Sequence, residues 1–285
     1  MLLHRSGGLA RMRAHTPGVR FLAALPNAPL SQPGGVHGQA KPSEKLWRRK
    51  PLFRRGGEDV TFKSGAEAAN LLVEEAKRRD GDQERFIETY QGFVLTLAPL
   101  FDRMPKYAWI AKQIAEPERY IEFRCAWIDD TGVSRVNRGY RVQYSSALGP
   151  YEGSLMFGHQ VNTAMMKSLG FDTIMTNALV GGVGGACGGA DFDPSGKSEA
   201  EIQRFCQSYM TELHKYIGPD VDHPLMGANV GAREVGYLYG QYKRINTHVT
   251  KKGQGILWGG HPAYPMAAGY GVVCFAKHVL EDRGK

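Results

Sequence analysis

The residue types that could carry chemistry are few in this 285-residue chain, and they fall into poor arrangements. A glycine run from Gly181 to Gly189 could cradle a phosphate. The following Gly196-Lys197-Ser198 would need a glycine at Asp191 to complete a phosphate loop, and Pro194 interrupts the stretch. Glu152, Asp191 and Asp193 could form an acid pair, although an Asp-Phe-Asp-Pro turn more readily uses its carboxylates on its own backbone. The nine histidines show no His-Glu-x-x-His spacing, and the four cysteines (Cys125, Cys187, Cys206 and Cys274) form no Cys-x-x-Cys pair. No metal site or disulfide framework is therefore expected, and the cysteine usage suits a reducing compartment.

The elements that would position these groups read as a mixed α/β domain. Ser64-x-x-Glu67 starts a helix before Ala68, Leu71 and Leu72. A second helix runs from about Gln83, with Phe86, Tyr90, Phe93, Val94 and Leu97 on one side. Ile121, Phe123, Cys125 and Trp127 alternate with other residues as a half-buried strand, and Asp129 to Gly132 turns the chain back through Tyr140, Val142 and Tyr144. The spacing predicts a helix over 159–169, with Met165 and Met166 as core filling. It predicts another over 197–217, started by Ser198-x-x-Glu201, with Cys206 inert on its apolar stripe.

Charge divides the chain unevenly. Residues 1–56 hold eleven Lys/Arg and one acid, Glu44, a net +10, while the remainder is at −2. Residues 1–24, with Arg5, Arg11, Arg13, Arg20 and no acid, have the composition of a mitochondrial targeting segment. Residues 25–56 read as a basic, Pro/Gly-rich arm, in which Trp47, Arg48, Arg49, Leu52, Phe53, Arg54 and Arg55 are candidate docking residues for a partner. Such an arm could also contact RNA or anionic lipid. No apolar run approaches the length of a membrane span.

Residues 60–282 resemble the N-terminal half of the hexameric, largely NADP-linked glutamate dehydrogenases. The resemblance is carried by Arg141-Val142-Gln143-Tyr144-Ser145-Ser146-Ala147-Leu148-Gly149-Pro150-Tyr151, Asp191-Phe192-Asp193-Pro194 and Gly231-Ala232-Arg233-Glu234-Val235-Gly236-Tyr237. It implies an α/β fold over 57–285: the amino-acid-binding domain of that family, a mixed sheet flanked by helices. It also places the Ile121–Tyr144 hairpin region near subunit contacts. A dinucleotide-binding domain follows in the family. No Gly-x-Gly-x-x-Gly occurs after Gly271, so no Rossmann domain and no cofactor are expected.

Deamination of glutamate asks for cations that grip carboxylates, a lysine of lowered pKa and a proton-shuttling acid. The resemblance implies that these belong in Pro-Tyr-Lys-Gly-Gly-Leu-Arg-Phe, Phe-Lys-Asn-Ala-Leu, Gly-Gly-Gly-Lys-Gly-Gly and Pro-Ala-Gly-Asp-Ile-Gly-Val. This sequence has Glu152 and Thr176 at the two substrate lysines, Cys187 at the catalytic lysine and Gly227 at the aspartate. It has Met156 for an arginine and Ala268 for a threonine facing the nicotinamide. A thiol at Cys187 would need a nearby cation to become reactive, so the glycine run is expected to be a structural loop. These substitutions point to a catalytically inactive subunit of a mitochondrial assembly in the matrix or on the matrix face of the inner membrane. An accessory subunit of a respiratory-chain complex or of the ATP synthase comes first among the expectations. A mitochondrial ribosomal protein, a regulatory member of an active hexamer and a residual amino-acid dehydrogenase are the alternatives.

Overall fold

The computed structural model describes residues 50–246 and 264–284. The segment read as a targeting sequence, and most of the arm including Trp47, Arg48 and Arg49, lies outside the described residues.

The described chain opens with a small hairpin, β1 (Phe53–Arg55) and β2 (Glu58–Val60). Gly56 and Gly57 turn it at φ 56° and 91°, the left-handed conformation that a two-residue hairpin requires. Leu52 and Phe53 are buried in the core of their own chain, which corrects their reading as docking anchors. Lys112 explains how they are held: its Nζ donates to the Leu52 carbonyl at 2.8 Å and lies 4.7 Å over the Phe53 ring. Arg54 is exposed and pairs with Asp59 across the hairpin at 3.1 Å. The folded domain thus begins before residue 57.

Four helices follow: α1 (Gly65–Arg79), α2 (Glu84–Thr96), α3 (Ala98–Arg103) and α4 (Lys106–Gln113). Ser64 caps α1 by accepting the Glu67 N–H. Then come β3 (Arg119–Ile128), β4 (Ser134–Ser145), β5 (Tyr151–Phe157), α5 (Thr163–Val180), β6 (Gly185–Ala190), α6 (Glu199–Leu213), β7 (Asp222–Leu225), α7 (Ala232–Ile245) and α8 (Tyr264–Asp282). The sheet order is β3-β4-β6-β5-β7, with β3, β4 and β6 antiparallel and β5 parallel to both β6 and β7.

Alternation along the strands sends side chains to two cores. One face carries Tyr140, Val142, Tyr144 and Cys187 against Phe86, Tyr90, Met166 and Phe171 of the helices. The other carries Cys125, Trp127, Leu155 and Phe157 against Phe192, Phe205, Tyr209 and Leu213. There the Phe192 and Phe205 rings stack at 3.8 Å, and Phe157 meets Phe205 edge-on at 5.1 Å. Each such pair adds about 1 kcal/mol to the burial itself.

Two expectations change. The helix anticipated over 159–169 starts at Thr163, where Asn162 caps it by accepting the Met165 N–H, and continues to Val180. The glycine run is not a loop throughout: Gly185–Ala190 forms a buried strand between β4 and β5. Its glycines are required by proximity. A methyl group at Gly185 would drive into Ile174, and one at Gly189 into the Met156 carbonyl.

Candidate functional site and relationship to known proteins

The register brings several of the sequence-derived positions to one side of the sheet. Glu152 on β5 and His223 on β7 are directly opposed, and Cys187 on β6 faces the same helical layer. Helix α5 crosses above, and its Asn177 fastens the region together. The Asn177 amide donates to the Glu152 carbonyl at 3.2 Å and to the Gly184 carbonyl at 2.7 Å.

The chemistry of each position follows from its surroundings. The Glu152 carboxylate, half-buried, lies 3.4 Å from His223 Nδ1, while His223 Nε2 donates to the Pro219 carbonyl. Glu152 therefore adds negative charge to this wall and is partnered within the chain. Thr176 is exposed and its hydroxyl donates back to the Asp172 carbonyl at 2.9 Å within α5. Cys187 points into the core, with Sγ 3.9 Å from the Met166 sulfur. Burial pushes its thiol up to about 11, against a smaller opposing pull from Arg141. That thiol is neutral near pH 7 and is not a nucleophile.

Gly227 lies where the loop after β7 folds back, its N–H donating to the Val230 carbonyl at 3.2 Å. A Cβ there would collide with the Leu155 carbonyl and the Ser154 side chain. An acidic side chain at 227 is thus excluded by the packing as it stands. Ala268 is on α8 and exposed. Asp191 and Asp193 do not join Glu152. Asp191 accepts from the Asn137 amide and the Arg138 N–H, and Asp193 accepts from the Ser195 N–H. Among the described residues no three His, Cys, Asp or Glu side chains gather as a metal site, and no helix is long and apolar enough to cross a membrane.

Sequence reasoning missed the strongest polar feature, which is on the opposite face. Arg141, Gln143 and Asp222 are buried and bonded to one another. The sequence carried no signal of it: Arg141 and Gln143 alternate with Tyr140, Val142 and Tyr144, and in a half-buried strand that phase reads as the exposed one. Nothing local identifies Asp222 as their partner.

Against known proteins, residues 117–244 match the family model described as the Glu/Leu/Phe/Val dehydrogenase dimerisation domain. The chain is 48% identical over 217 residues to an NADP-specific glutamate dehydrogenase of Chlorella sorokiniana, covering 75% of this chain and 42% of that protein. It is 47% identical over 220 residues to the NADP-specific glutamate dehydrogenase of Giardia intestinalis, covering 76% of this chain and 49% of that one. The crystal structure of Plasmodium falciparum glutamate dehydrogenase superimposes with a TM-score of 0.74 at 44% identity, covering 77% of this chain and 48% of the other. The chain spans about half the length of the curated relatives it matches. With its five-stranded mixed sheet and flanking helices, the described part of this chain belongs to the glutamate dehydrogenase family, as its N-terminal dimerisation domain.

Proposed function

We propose that this chain is a catalytically inactive, glutamate dehydrogenase-like structural subunit of a mitochondrial multiprotein assembly. The leading candidate is an accessory role in a respiratory-chain complex or the ATP synthase. The observation that carries this reading is the state of Cys187, the position the resemblance gives to the catalytic lysine. Its thiol is buried against Met166 and held neutral, so it can neither polarise a carbonyl nor move a proton. The neighbouring positions supply nothing in its place: Glu152 repels a carboxylate substrate, Thr176 has no charge and Gly227 has no side chain. A nicotinamide fits poorly as well, since Ala268 offers it no hydroxyl. The basic composition of residues 1–24 supports the mitochondrial placement.

The test has two arms. The purified full chain, given glutamate and NADP, is expected to show no reduction of NADP and no calorimetric binding of 2-oxoglutarate. Native mass spectrometry of mitochondrial membranes is expected to find the chain at fixed stoichiometry within a large complex. Turnover of glutamate would overturn the inactive reading. A chain found free in the matrix would overturn the structural role.

A further inference from the structure

The ring of His223 has an acceptor at each of its two nitrogens. Nε2 lies 2.5 Å from the Pro219 carbonyl, and because a carbonyl only accepts, Nε2 carries the ring proton. In the neutral imidazole Nδ1 is then a lone pair, and it faces Oε2 of the Glu152 carboxylate at 3.4 Å. Two acceptors thus point at one spot, an arrangement that is repulsive by itself and favourable around a cation. A second ring proton would draw nitrogen and carboxylate to about 2.8 Å, the usual length of a charge-assisted bond. The gap is wider than that. Zinc bonds of about 2.1 Å at a tetrahedral angle set two ligand atoms about 3.4 Å apart.

The fold holds both groups in place. Glu152 and His223 are directly opposed in the parallel pairing of β5 with β7, so their side chains leave the same face of the sheet. The Asn177 amide fastens the Glu152 backbone from α5 at 3.2 Å. The turn that presents the Pro219 carbonyl is closed by the Val221 and Asp222 N–H groups, both donating to the Gly218 carbonyl at 3.1 Å. A histidine whose second nitrogen donates to a backbone carbonyl has its tautomer and ring orientation fixed for metal binding. Asp222 does not compete, because Arg141 engages it on the opposite face. The two side chains are 20% and 30% exposed, which lets water reach them. The resemblance implies a lysine at 152, and an ammonium there would repel a cation. Glutamate makes the position a ligand.

We propose that Glu152 Oε2 and His223 Nδ1 together bind one zinc-class divalent cation, with water completing its coordination. Imidazole favours zinc, copper or nickel over magnesium or calcium. Two protein ligands make an open, exchangeable site rather than a closed structural one. Spacing along the chain does not show such a pair, because strand pairing brings it together across 71 residues. The inference goes beyond the proposed structural role and does not depend on it.

Calorimetric titration of the metal-stripped full chain with zinc chloride at neutral pH tests the proposal, with magnesium chloride as the comparison. One zinc per chain is expected to bind, and magnesium is not expected to replace it. Glu152→Gln keeps the shape of the side chain and removes its charge, and His223→Gln removes the imidazole. Each is expected to weaken zinc binding by at least about tenfold, with circular dichroism reporting that the fold persists. Nitrogen-15 NMR of the histidine rings keeps the test decisive if a variant does not fold. Zinc is expected to shift Nδ1 of one ring in the wild-type chain while its Nε2 stays protonated. A wild-type chain that takes up no zinc would overturn the proposal. So would zinc bound equally well by both variants, or coordination through Nε2.

Discussion

Arg141 and Asp222 are 81 residues apart in sequence and are joined face to face, Nε to Oδ2 at 2.9 Å and Nη2 to Oδ1 at 2.5 Å, with neither side chain exposed. To reach Asp222 the arginine leaves β4, runs past Gly188 of β6 and donates Nη1 to the Gly153 carbonyl of β5 at 3.1 Å. Gln143 adds a bond to Asp222 Oδ2 at 2.9 Å and another to the Tyr216 carbonyl at 2.9 Å. Burial alone would lower the guanidinium pKa. The carboxylate beside it outweighs that pull and keeps the group charged.

Removing one member of this pair strands a charge in the interior. Arg141→Met is expected to cost about 3–5 kcal/mol in urea unfolding, and Asp222→Leu a similar amount. The double variant Arg141→Met/Asp222→Leu should lose clearly less than the sum of the two. Strictly additive losses would show that the two groups are not coupled.

Cys187 yields a reactivity prediction. With the thiol raised from 9.0 to about 11, native protein at pH 8 should label far more slowly there than at exposed Cys274. Peptide mapping after brief treatment with iodoacetamide distinguishes the two. The sign for stability follows from the same shift. The folded state favours the protonated thiol, so its contribution is complete below pH 9 and is lost as pH rises towards 11. Cys187→Ala should flatten that alkaline loss; an unchanged alkaline profile would contradict the assignment.

The acid limb belongs in part to Asp129 in the β3–β4 turn. Its carboxylate accepts from the Thr131 hydroxyl at 2.6 Å, the Val133 N–H at 2.9 Å and Arg135 Nε at 2.9 Å. These bonds, the Thr131 hydroxyl foremost, hold it well below the ordinary carboxylate range. The stability it gives is present above the ordinary value and is lost as pH falls through the depressed one. Asp129→Asn should therefore melt with a shallower dependence on pH below about pH 4 than the wild type. Parallel melting curves for the two proteins would count against it.

What could be read from the sequence depended on how local the cause was. The Ser198–Glu201 signal became a full capping box, and Ile202, Phe205, Cys206, Tyr209, Met210 and Leu213 on α6 are all buried. The β3–β4 hairpin was equally legible, because a half-buried pair shows alternation and a polar turn. Strand β6 was not. Gly-Ala-Cys-Gly-Gly-Ala has neither alternation nor branched side chains, and its reason for being a strand lies in the backbones crowded around it. The second half of helix α5 shows no clear pattern in the sequence, because Phe171, Ile174, Met175, Leu179 and Val180 spread apolar side chains around the helix instead of along one stripe. Of the site, the identities of Glu152, Thr176, Cys187 and Gly227 could be read directly. The His223 partner of Glu152 could not, because parallel pairing of β5 with β7 creates that neighbour from 71 residues away.

The passage of Arg141 across the sheet has a last consequence for how this chain can change. A single added carbon at Gly153 would strike the Ala186 carbonyl, and one at Gly188 would displace the arginine stem or the Tyr140 carbonyl. These two positions in the middle of the sheet are thereby held to glycine. Thr176, by contrast, is on the open rim, where an altered side chain disturbs no packed neighbour. Substitutions accumulating in such a molecule meet least resistance at exposed positions such as Thr176 and most where one backbone touches another, as at Gly153 and Gly188.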